Sequence, residues 1–270
     1  MIKTVVIGAA GRMGRMLLTQ VLNTPELKLV GATEIPGSPF IGQDAGIVSG
    51  NAATGVAITD NIDAALSNAD VLIDFTIASA TRALIPIAGA KGINMVIGTT
   101  ALTAEDKAAL ADWAKKGLKI VCAPNMSVGV NLLFALCAKV APLLGADYDI
   151  EIVEMHHNKK KDAPSGTAER LGEILAAATG LDYEKDTRHG RVGMVGARTR
   201  HEIGMHSLRG GDVVGDHTVI FATEGERVEL THKASSRECF AKGAIRAVKY
   251  IGAPDRQPGL YDMQDVLGLK

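Results

Sequence analysis

The sequence of residues 2–14 is Ile-Lys-Thr-Val-Val-Ile-Gly-Ala-Ala-Gly-Arg-Met-Gly, and it decides the fold of the first half of the chain. Residues Ile2 to Ile7 form a short apolar run rich in β-branched side chains, which is typical of a buried parallel strand. Glycines at positions 8, 11 and 14 follow at once, and the pattern of Arg12 to Leu22 predicts a helix. A strand, a glycine turn and a helix are therefore expected in immediate succession.

The spacing after this turn is that of a dinucleotide-binding motif. A second strand is predicted at Leu27 to Thr33 and ends at Glu34, about 20 residues beyond Gly14, where an acid that binds a ribose hydroxyl is expected. Gly8 would permit the tight turn out of the strand, Gly11 would let the backbone approach a pyrophosphate, and Gly14 would let helix and sheet pack closely. Because N–H groups at the start of the helix favour phosphate, we expect the chain to bind a dinucleotide.

Residues beside this motif bear on which nucleotide is bound. The carboxylate of Glu34 would accept hydrogen bonds from ribose hydroxyls but repel a 2′-phosphate, and the next residue, Ile35, offers a phosphate no charge. NADH is therefore expected to be preferred, although Arg12 could still reach a phosphate, so use of both NADH and NADPH remains open. Ala10 departs from the strict motif, which has glycine at that position.

Strands and helices continue to alternate up to residue 122. The predicted strands are Val71–Phe75, Asn94–Ile97 and Leu118–Cys122, and the predicted helices are Ala78–Ala90, which Pro86 is expected to distort, and Thr103–Lys116. Right-handed connections between such strands produce a doubly wound parallel sheet, so an α/β fold of Rossmann type is predicted. Ligands of these sheets bind beyond the carboxyl ends of the strands. The residues at those ends that are candidates to line the nicotinamide side are Phe75, Thr76, Gly98, Thr99, Thr100, Ala123, Pro124, Asn125 and Met126.

The pattern changes after Asn125 to a helix followed mainly by strands. The helix is predicted at Asn131–Leu144, and the strands at Tyr148–Met155, Arg198–Leu208, Asp216–Ala222 and Arg227–His232, with turns at Gly210, Gly211, Gly215 and Gly225. A smaller α+β domain with a mixed or antiparallel sheet is expected, and such open sheets often carry subunit contacts. A last helix, Phe240–Ile251, is expected to return to the first domain. The predicted domains are a dinucleotide-binding domain, 1–126 and 239–270, and a substrate-binding and oligomerisation domain, 127–238.

The chemistry of the second domain is concentrated between Glu154 and Ala168, whose sequence is Glu-Met-His-His-Asn-Lys-Lys-Lys-Asp-Ala-Pro-Ser-Gly-Thr-Ala. A β-branched strand pattern precedes this stretch, and the helical pattern Glu169–Ala178 follows it. Gly166 and Thr167 would lie in the first turn of that helix, where free N–H groups favour an anion. Lysines and histidines directed at the same place would suit a small polyanion. The alternative is a lysine run that is merely solvated.

Composition disfavours several classes of protein. The 270 residues carry a net charge of −1 with no long basic block, and aromatic residues are only 4%, which argues against a nucleic-acid partner. Cys122, Cys137 and Cys239 form no CxxC pair, so buried thiols in a reducing compartment are expected. No signal-peptide pattern is visible, and a cytoplasmic protein is predicted.

Membrane and metal sites are also disfavoured. The apolar stretch Val128–Leu144 includes a lysine and a proline, so a buried helix is expected rather than a membrane span. The pair His201-Glu202 followed by His206 resembles a zinc-protease motif, but three residues separate Glu202 from His206 where that motif has two. Because this stretch is predicted to be a strand, no metal site is expected.

Five segments together resemble the 4-hydroxy-tetrahydrodipicolinate reductase family, also called dihydrodipicolinate reductases. They span essentially the whole chain and are Gly8–Gly14, Gly98–Thr100, Asn125–Asn131, His156–Ala168 and Thr231–Arg237. The block with the His-His pair and the Pro-Ser-Gly-Thr turn is specific to this family, whereas the glycine turn is shared with many reductases.

The resemblance implies an enzyme that reduces a cyclic dicarboxylate to tetrahydrodipicolinate on the diaminopimelate route to lysine, with NADH or NADPH as the hydride donor. Whether the ring is hydroxylated or already dehydrated stays open. The resemblance also implies a homotetramer built through the sheet of the second domain. Some family members have an arginine after the ribose acid, and Ile35 in that place disfavours strong use of NADPH.

The resemblance also assigns roles to residues. It implies that His156 and Lys160 handle protons and that His157, Gly166 and Thr167 bind substrate. The cofactor ligands that it implies are Gly8, Ala9, Ala10, Gly11, Arg12, Met13, Glu34, Gly98, Thr99, Thr100, Ala123, Pro124, Asn125 and Met126. The residue chemistry agrees, because hydride addition to an unsaturated ring builds negative charge that a cation or acid must neutralise. A lysine can do this, and histidine exchanges protons near neutral pH.

Two other classes of protein share part of the pattern. A different two-domain dehydrogenase, acting on amino acids or semialdehydes, would share the first half but would not need the His-His to Ser-Gly-Thr block. A redox-sensing regulator would keep the glycine turn, yet it has no reason to place lysine and histidine before a helix, and a DNA-binding appendage would be expected. Turnover, as opposed to cofactor binding alone, would separate the enzyme from the regulator.

Overall fold

The computed structural model describes all 270 residues and divides them into two compact units. Unit 1 comprises residues 1–128 and 238–270, and unit 2 comprises residues 129–237. Unit 1 is thus assembled from both ends of the chain, and unit 2 is continuous.

Unit 1 is built on a seven-stranded sheet in which every pairing is parallel. Its strands are β1 Ile2–Ile7, β2 Leu27–Thr33, β3 Ile58–Thr59, β4 Val71–Asp74, β5 Asn94–Ile97, β6 Lys119–Cys122 and β12 Gly259–Tyr261. Its helices are α1 Arg12–Leu22, α2 Ala45–Val48, α3 Ile62–Leu66, α4 Ala78–Ala90, α5 Ala104–Lys115, α9 Glu238–Gly252 and α10 Met263–Leu267. The strand order is β12-β6-β5-β4-β1-β2-β3, so the order reverses between β1 and β4. The predicted doubly wound parallel sheet is confirmed.

The strands of unit 1 are apolar on both faces because helices cover both sides of the sheet. Consecutive residues Val5 and Val6 are fully buried and belong to two different core clusters. One cluster includes residues of α1 and α9, and the other includes residues of α4 and α5. The last helix, α9, belongs to unit 1 as expected, and its residues Ala244, Ala247 and Val248 are fully buried in the core of that unit. α4 continues through Pro86 over 13 residues.

Unit 2 contains a five-stranded mixed sheet of order β11-β10-β7-β9-β8. Its strands are β7 Asp149–His156, β8 Thr187–His189, β9 Ile203–Arg209, β10 Gly215–Thr223 and β11 Glu226–Ala234. Its helices are α6 Val128–Leu144, which begins at the boundary between the units, α7 Gly166–Thr179 and α8 Tyr183–Asp186, with a short 3₁₀ turn at Gly145–Asp147. β10 pairs antiparallel with β7 and β11, whereas β9 pairs parallel with β7 and β8.

Two predictions for unit 2 are wrong. The strand expected at Arg198–Leu208 begins only at residue 203, because Arg198 donates to the backbone carbonyls of Ile150 and Glu202 and residues 198–202 bend around that contact. His201 and Glu202 therefore lie outside the strand. Gly215, expected in a turn, is the first residue of β10 and pairs with Ala234.

The core of unit 2 lies between the inner face of its sheet and the helices α6 and α7. Ile150 and Ile152 of β7 pack in one cluster with Leu171 and Leu175 of α7 and with residues of α6. The stretch from Val128 through the 3₁₀ turn has 20 residues, and an 18-residue window within it has a mean hydropathy of 1.8, so it is long and apolar enough to cross a membrane by those measures. One face of α6 is buried in this cluster, but Leu132, Leu136 and Leu143 are exposed, so the helix is only partly buried and not the fully buried helix expected from the sequence.

The cysteines depart in part from expectation. Cys137 of α6 is fully buried, but Cys122 and Cys239 are only half-buried, and all three are free thiols. Burial raises the pKa of the Cys122 thiol to about 11. A thiol with so high a pKa is almost entirely protonated at neutral pH and is a poor nucleophile.

Candidate active site

The glycine turn at the carboxyl end of β1 has the geometry that a bound pyrophosphate needs. Gly8 has a left-handed φ of +66°, which glycine adopts without strain. A Cβ at Gly14 would lie 2.0 Å from the Gly8 carbonyl oxygen, so only glycine lets the first turn of α1 pack against the loop. Gly11 is the N-cap of α1, and no side chain caps this helix. The first N–H groups of α1 are thus left for an external anion.

Glu34, directly after β2, is held against this turn. Its Oε1 accepts a hydrogen bond from the Ala10 N–H at 2.8 Å, and its Oε2 accepts one from the Ile35 N–H at 3.2 Å. Each carboxylate oxygen can accept a second hydrogen bond, so a ribose hydroxyl can still be bound. Ile35 is 70% exposed and brings no charge to this position.

The other residues predicted on the cofactor side lie in loops at the carboxyl ends of neighbouring strands. β6, β5, β4 and β1 follow one another in the sheet and are all parallel, so the loops after β4, β5 and β6 emerge at the same edge of the sheet as the glycine turn. Thr76 lies close to Gly8. A Cβ added at Gly8 would lie 2.8 Å from the methyl group of Thr76. The Thr99 hydroxyl is buried and has no hydrogen-bond partner. The side chain of Met126 is buried in the core of unit 1 and is not presented to a ligand.

One residue that sequence reasoning did not single out shapes this edge. Asp74, the last residue of β4, is fully buried. It accepts hydrogen bonds from the backbone and hydroxyl of Thr76 and from the Thr81 hydroxyl. Asp74 thereby fixes the loop that faces Gly8. The uncapped helix, the anchored Glu34 and the orphaned Thr99 hydroxyl together fit a dinucleotide at the carboxyl edge of this sheet.

In unit 2, a loop leads from β7 to the N-terminus of α7. Ser165 is the N-cap of this 14-residue helix, and its Oγ accepts from the Ala168 N–H at 3.2 Å. Gly166 and Thr167 occupy the first turn, as predicted. A Cβ at Gly166 would meet no atom within 4 Å, so the space beside this helix start is open. An anion can therefore approach the helix N-terminus.

His156, the last residue of β7, has one ring nitrogen engaged inside the fold. Its Nδ1 lies 2.6 Å from the Oε2 of Glu154, and its side chain is 11% exposed. The Glu154 carboxylate is fully buried; burial alone would raise its pKa, but hydrogen bonds from His156, Arg209 and Ser207 lower it to about 2. Because an ionised carboxylate only accepts hydrogen bonds, Nδ1 carries a proton and Nε2 is left for proton exchange.

Lys160 differs from the two lysines beside it. Its side chain is 18% exposed and its Nζ donates to the Asp162 carboxylate at 2.8 Å, whereas Lys159 and Lys161 are exposed. The backbone N–H of Lys160 donates to the His157 carbonyl. Of the three lysines, Lys160 alone is therefore fixed within the loop.

A buried histidine completes the surroundings of His156. His217 of β10 is 3% exposed; its Nε2 lies 3.0 Å from Ser165 Oγ, and its ring packs edge-on against His156 at 5.3 Å. Burial, with His156 nearby, lowers the pKa of His217 to about 3, so this ring is neutral at physiological pH. Its second nitrogen, Nδ1, is buried without a partner.

Hydrogen bonds thus tie His156, the Lys160 loop and the start of α7 into one cluster within unit 2. Sequence reasoning missed Glu154, Arg209, Ser165 and His217 as members of this cluster. A signal existed for Glu154, because strand alternation places it in the inner row of Ile150 and Ile152. No group of three or more His, Cys, Asp or Glu side chains is arranged to hold a metal ion.

A parallel-sheet unit with an uncapped glycine turn, and a second unit with a histidine, a lysine and an open helix N-terminus, define a dinucleotide-dependent oxidoreductase with a separate substrate unit. Matches to models of protein families identify the family of oxidoreductases to which the chain belongs. Residues 2–126 match the model described as dihydrodipicolinate reductase, N-terminus, and residues 129–267 match the corresponding C-terminus. The chain belongs to the dihydrodipicolinate reductase family, and it is an oxidoreductase that binds a pyridine nucleotide.

Full-length relatives agree with this assignment. The 4-hydroxy-tetrahydrodipicolinate reductase of Trichlorobacter lovleyi is 50% identical over 270 residues, which is all of both chains. The enzyme of the same name from Cupriavidus necator is 51% identical over 265 residues, or 98% of each chain. The resemblance noted in the sequence is therefore confirmed.

Solved structures share the fold. The dipicolinate-bound dihydrodipicolinate reductase of Paenisporosarcina sp. TG-14 superposes with a TM-score of 0.73 at 24% identity, covering 98% of both chains. A myo-inositol dehydrogenase of Corynebacterium glutamicum reaches a TM-score of 0.59 at 15% identity, covering all of this chain and 94% of its own. The two-unit architecture is thus common to several reductases and dehydrogenases.

Proposed function

We propose that the chain reduces 4-hydroxy-tetrahydrodipicolinate, or its dehydrated form, to tetrahydrodipicolinate on the diaminopimelate route to lysine. The observation that carries the proposal is the cluster in unit 2, where an open helix start at Gly166 is tied to His156 and to the Lys160 loop. A small cyclic dianion needs both an anion site and a proton source, and this cluster offers them. The two relatives at about half identity carry the name of this activity.

Unit 1 would hold the cofactor. The first N–H groups of α1 would bind the pyrophosphate, and Glu34 would accept hydrogen bonds from a ribose. The loops that contain Gly98–Thr100 and Ala123–Asn125 would line the nicotinamide, with Met126 supporting its loop from the core. When bound, the reduced nicotinamide supplies the hydride. NADH is favoured because the anchored Glu34 would repel a 2′-phosphate and Ile35 cannot neutralise one.

Unit 2 would hold the substrate. The N–H groups of Gly166 and Thr167 would bind one substrate carboxylate, and His157 would provide a further contact. Lys160 would neutralise the charge that develops on the ring, and His156 would exchange a proton through Nε2. These roles need both side chains at the substrate, which the network around Glu154 supports.

The chain is proposed to form a homotetramer through the sheet of unit 2. β11 is a nine-residue edge strand, and the face of the sheet opposite α7 carries the partly exposed apolar side chains Val153, Met155 and Ile220. An edge of this length and an apolar face that is only partly covered are typical of subunit interfaces. Light scattering should give four times the 28.2 kDa chain mass. A cytoplasmic location is proposed because the three cysteines are free thiols.

A coupled assay tests the reaction. Dihydrodipicolinate synthase would generate the substrate from pyruvate and aspartate semialdehyde, and nicotinamide oxidation would be followed first with NADH and then with NADPH. Rapid oxidation that depends on the synthase is expected, faster with NADH at low cofactor concentration. Absence of oxidation with either nucleotide, in protein shown to bind NADH, would overturn the substrate assignment and leave the cofactor assignment standing. A KM for NADPH far below that for NADH would overturn the cofactor preference.

A further inference from the structure

We propose that Glu154 and Arg209 form a positioning pair that holds His156, the Lys160 loop and the start of α7 in one catalytically competent arrangement. Neither residue is assigned to touch the substrate; both act through the groups that do. The inference rests on the proposed function and adds two positioning residues to it.

Glu154 connects two parts of the site through its two oxygens. Oε2 binds His156 Nδ1 at 2.6 Å, and Oε1 accepts from the backbone N–H of Ser165 at 3.2 Å. Ser165 is the N-cap of α7, directly before Gly166. One carboxylate therefore fixes both the orientation of the proton-exchanging ring and the position of the anion-binding helix start.

Arg209, at the end of β9, extends the same connection to the lysine. Its guanidinium binds Glu154 through both terminal nitrogens at 2.9 Å each, and one of them also donates to the backbone carbonyl of Asp162 at 2.6 Å. The side chain of Asp162 in turn accepts from Lys160 Nζ at 2.8 Å. Arg209 thus fixes the backbone of Asp162, and the side chain of Asp162 holds the Lys160 ammonium.

Packing alone does not explain a charged pair at this place. Glu154 is completely buried and Arg209 is 22% exposed. A buried ion pair contributes little net stability relative to apolar side chains of similar volume, because both groups lose their hydration. Ile150 and Ile152 fill the same inner row of β7, so an apolar side chain at position 154 would continue the core. Every contact of the carboxylate except Ser207 instead serves a member of the site.

The chemistry of a buried carboxylate on histidine gives the pair its effect. An ionised acceptor at Nδ1 fixes the ring tautomer that leaves Nε2 for exchange and stabilises the ring when it is protonated. A neutral amide in place of the carboxylate can donate as well as accept, so it permits the opposite tautomer. Loss of the charge should therefore lower turnover more than substrate binding.

The strand offers a matched control in Glu151. This residue lies three positions earlier on β7, on the opposite face. Like Glu154 it binds one histidine, His206 Nε2 at 2.7 Å, but it binds two arginines, Arg191 and Arg198, where Glu154 binds one. Hydrogen bonds from these partners outweigh burial and lower the pKa of Glu151 to about 2, as for Glu154. Replacing Glu151 removes a comparable ionic cluster, and the hydrogen bonds of Glu151 go to Arg191, Arg198 and His206 and not to His156, Lys160 or the start of α7.

The test compares Glu154→Gln with Glu151→Gln in the coupled assay. The Glu154 variant is expected to lose roughly 100-fold in kcat, the size of effect found when a proton-transfer group is disabled, with less than a threefold change in KM for NADH. The Glu151 variant is expected to keep kcat within about threefold of wild type, whatever its melting temperature. Wild-type turnover in a folded Glu154→Gln protein would overturn the positioning role but leave the proposed function intact, since that function is judged on the wild-type chain.

A double variant and a spectroscopic measurement separate positioning from structural support. Glu154→Gln should lower kcat much less in a His156→Ala background than in wild type, because the residue that Glu154 positions is already absent. NMR of isotopically labelled histidine should show His156 protonated on Nδ1 in wild type and a shift toward the other tautomer in Glu154→Gln. Full additivity of the two losses, or an unchanged tautomer, would overturn the proposal.

A milder variant covers the case in which Glu154→Gln does not fold. Arg209→Lys keeps a cation beside Glu154 but cannot bridge both carboxylate oxygens and the Asp162 carbonyl at once. It is expected to fold, to bind NADH normally and to lose roughly tenfold in kcat. Unchanged kcat in this variant would contradict the role assigned to Arg209.

Discussion

The N-termini of α1 and α7 present backbone N–H groups to anions in two different ways. At α1 no side chain caps the helix, and the loop geometry comes from glycines that the backbone itself requires. At α7 the Ser165 hydroxyl caps the helix and is in turn bound to the buried His217. In both places a glutamate accepts a backbone N–H close to the helix start, Glu34 from Ala10 and Glu154 from Ser165.

The difference shows where specificity resides. The start of α1 is shaped by backbone, which suits a pyrophosphate common to many enzymes. The start of α7 lies in one cluster with His156, His217 and Lys160, whose side chains can exchange or hold protons. Such surroundings suit one particular reaction and not a ligand shared by many enzymes. Variants at α1 should therefore change cofactor affinity, and variants around the start of α7 should change turnover or substrate binding, as follows.

Removing the proposed proton-handling side chains should have the largest effect. Lys160→Ala and His156→Ala should each lower kcat by roughly 100-fold or more, because the charge developing on the ring is then not neutralised. NADH affinity, measured by fluorescence titration, should stay within about twofold in both variants. Near-normal turnover in both would remove the two residues from the mechanism.

At α1 the corresponding change adds a side chain at Gly14, where the glycine turn has no room for one. Gly14→Ala places a Cβ 2.0 Å from the Gly8 carbonyl, so the loop must shift away from the pyrophosphate position. The Kd for NADH should rise by at least about tenfold, and the overpacked turn should cost about 1–3 kcal/mol of folding stability. Thermal unfolding with and without NADH measures both; an unchanged NADH-induced stabilisation would contradict the role of this turn.

Weakening the anion site at α7 should have a smaller effect that falls on substrate binding. Thr167→Val keeps the shape of the side chain but removes a hydroxyl that can donate to a carboxylate. Loss of one hydrogen bond to a charged group corresponds to roughly tenfold in KM for the dicarboxylate, with kcat less affected. Equal loss in kcat and no change in KM would place Thr167 outside ground-state binding.

Adding a positive charge at residue 35, directly after Glu34, should shift the preference between NADPH and NADH by a still smaller factor. Ile35→Arg supplies a cation beside the position of a 2′-phosphate, and Ile35 is exposed, so the fold should tolerate it. The ratio of kcat/KM for NADPH to that for NADH should rise by roughly threefold to tenfold. No change in this ratio would show that residue 35 does not face the ribose.

Acid should weaken unit 2 through His217, whose ring contacts the cap of α7. His217 has a pKa of about 3 in the folded chain against an ordinary value of 6.5, so the unfolded chain binds more protons between these values. The stabilisation is full above about pH 6.5 and is lost as the pH falls toward 3. His217→Gln should flatten the dependence of melting temperature on pH in this window, and a variant with wild-type pH dependence would exclude His217 as its source.

Much of unit 1 could be predicted from the sequence because its signals are local. Strands β1, β2 and β5 and helices α1 and α4 have the predicted bounds, since buried parallel strands are continuous apolar runs and the glycine turn marks the junction between β1 and α1. The short β3 and β12 at the sheet edges were not predicted, because two or three residues carry no periodicity.

The cluster around His156 could be predicted only in part because its members are far apart in sequence. Arg209 lies opposite His156 in the pairing of β7 with β9, and His217 lies opposite Glu154 in the pairing of β7 with β10. These registers exist only once the sheet is assembled. The motif therefore identified His156, Lys160 and Gly166 as candidates but not the buried groups that hold them.

The division of unit 1 between the two ends of the chain has a consequence for its synthesis on the ribosome. Residues 1–128 emerge first, yet α9 fills the core beside α1, and β12 adds the last strand beside β6 only after residue 261 has emerged. Unit 2 is continuous and can complete its own core earlier, although it begins later. The nascent unit 1 must therefore keep one apolar sheet face partly uncovered while unit 2 folds, and its core is complete only once α9 and α10 have emerged.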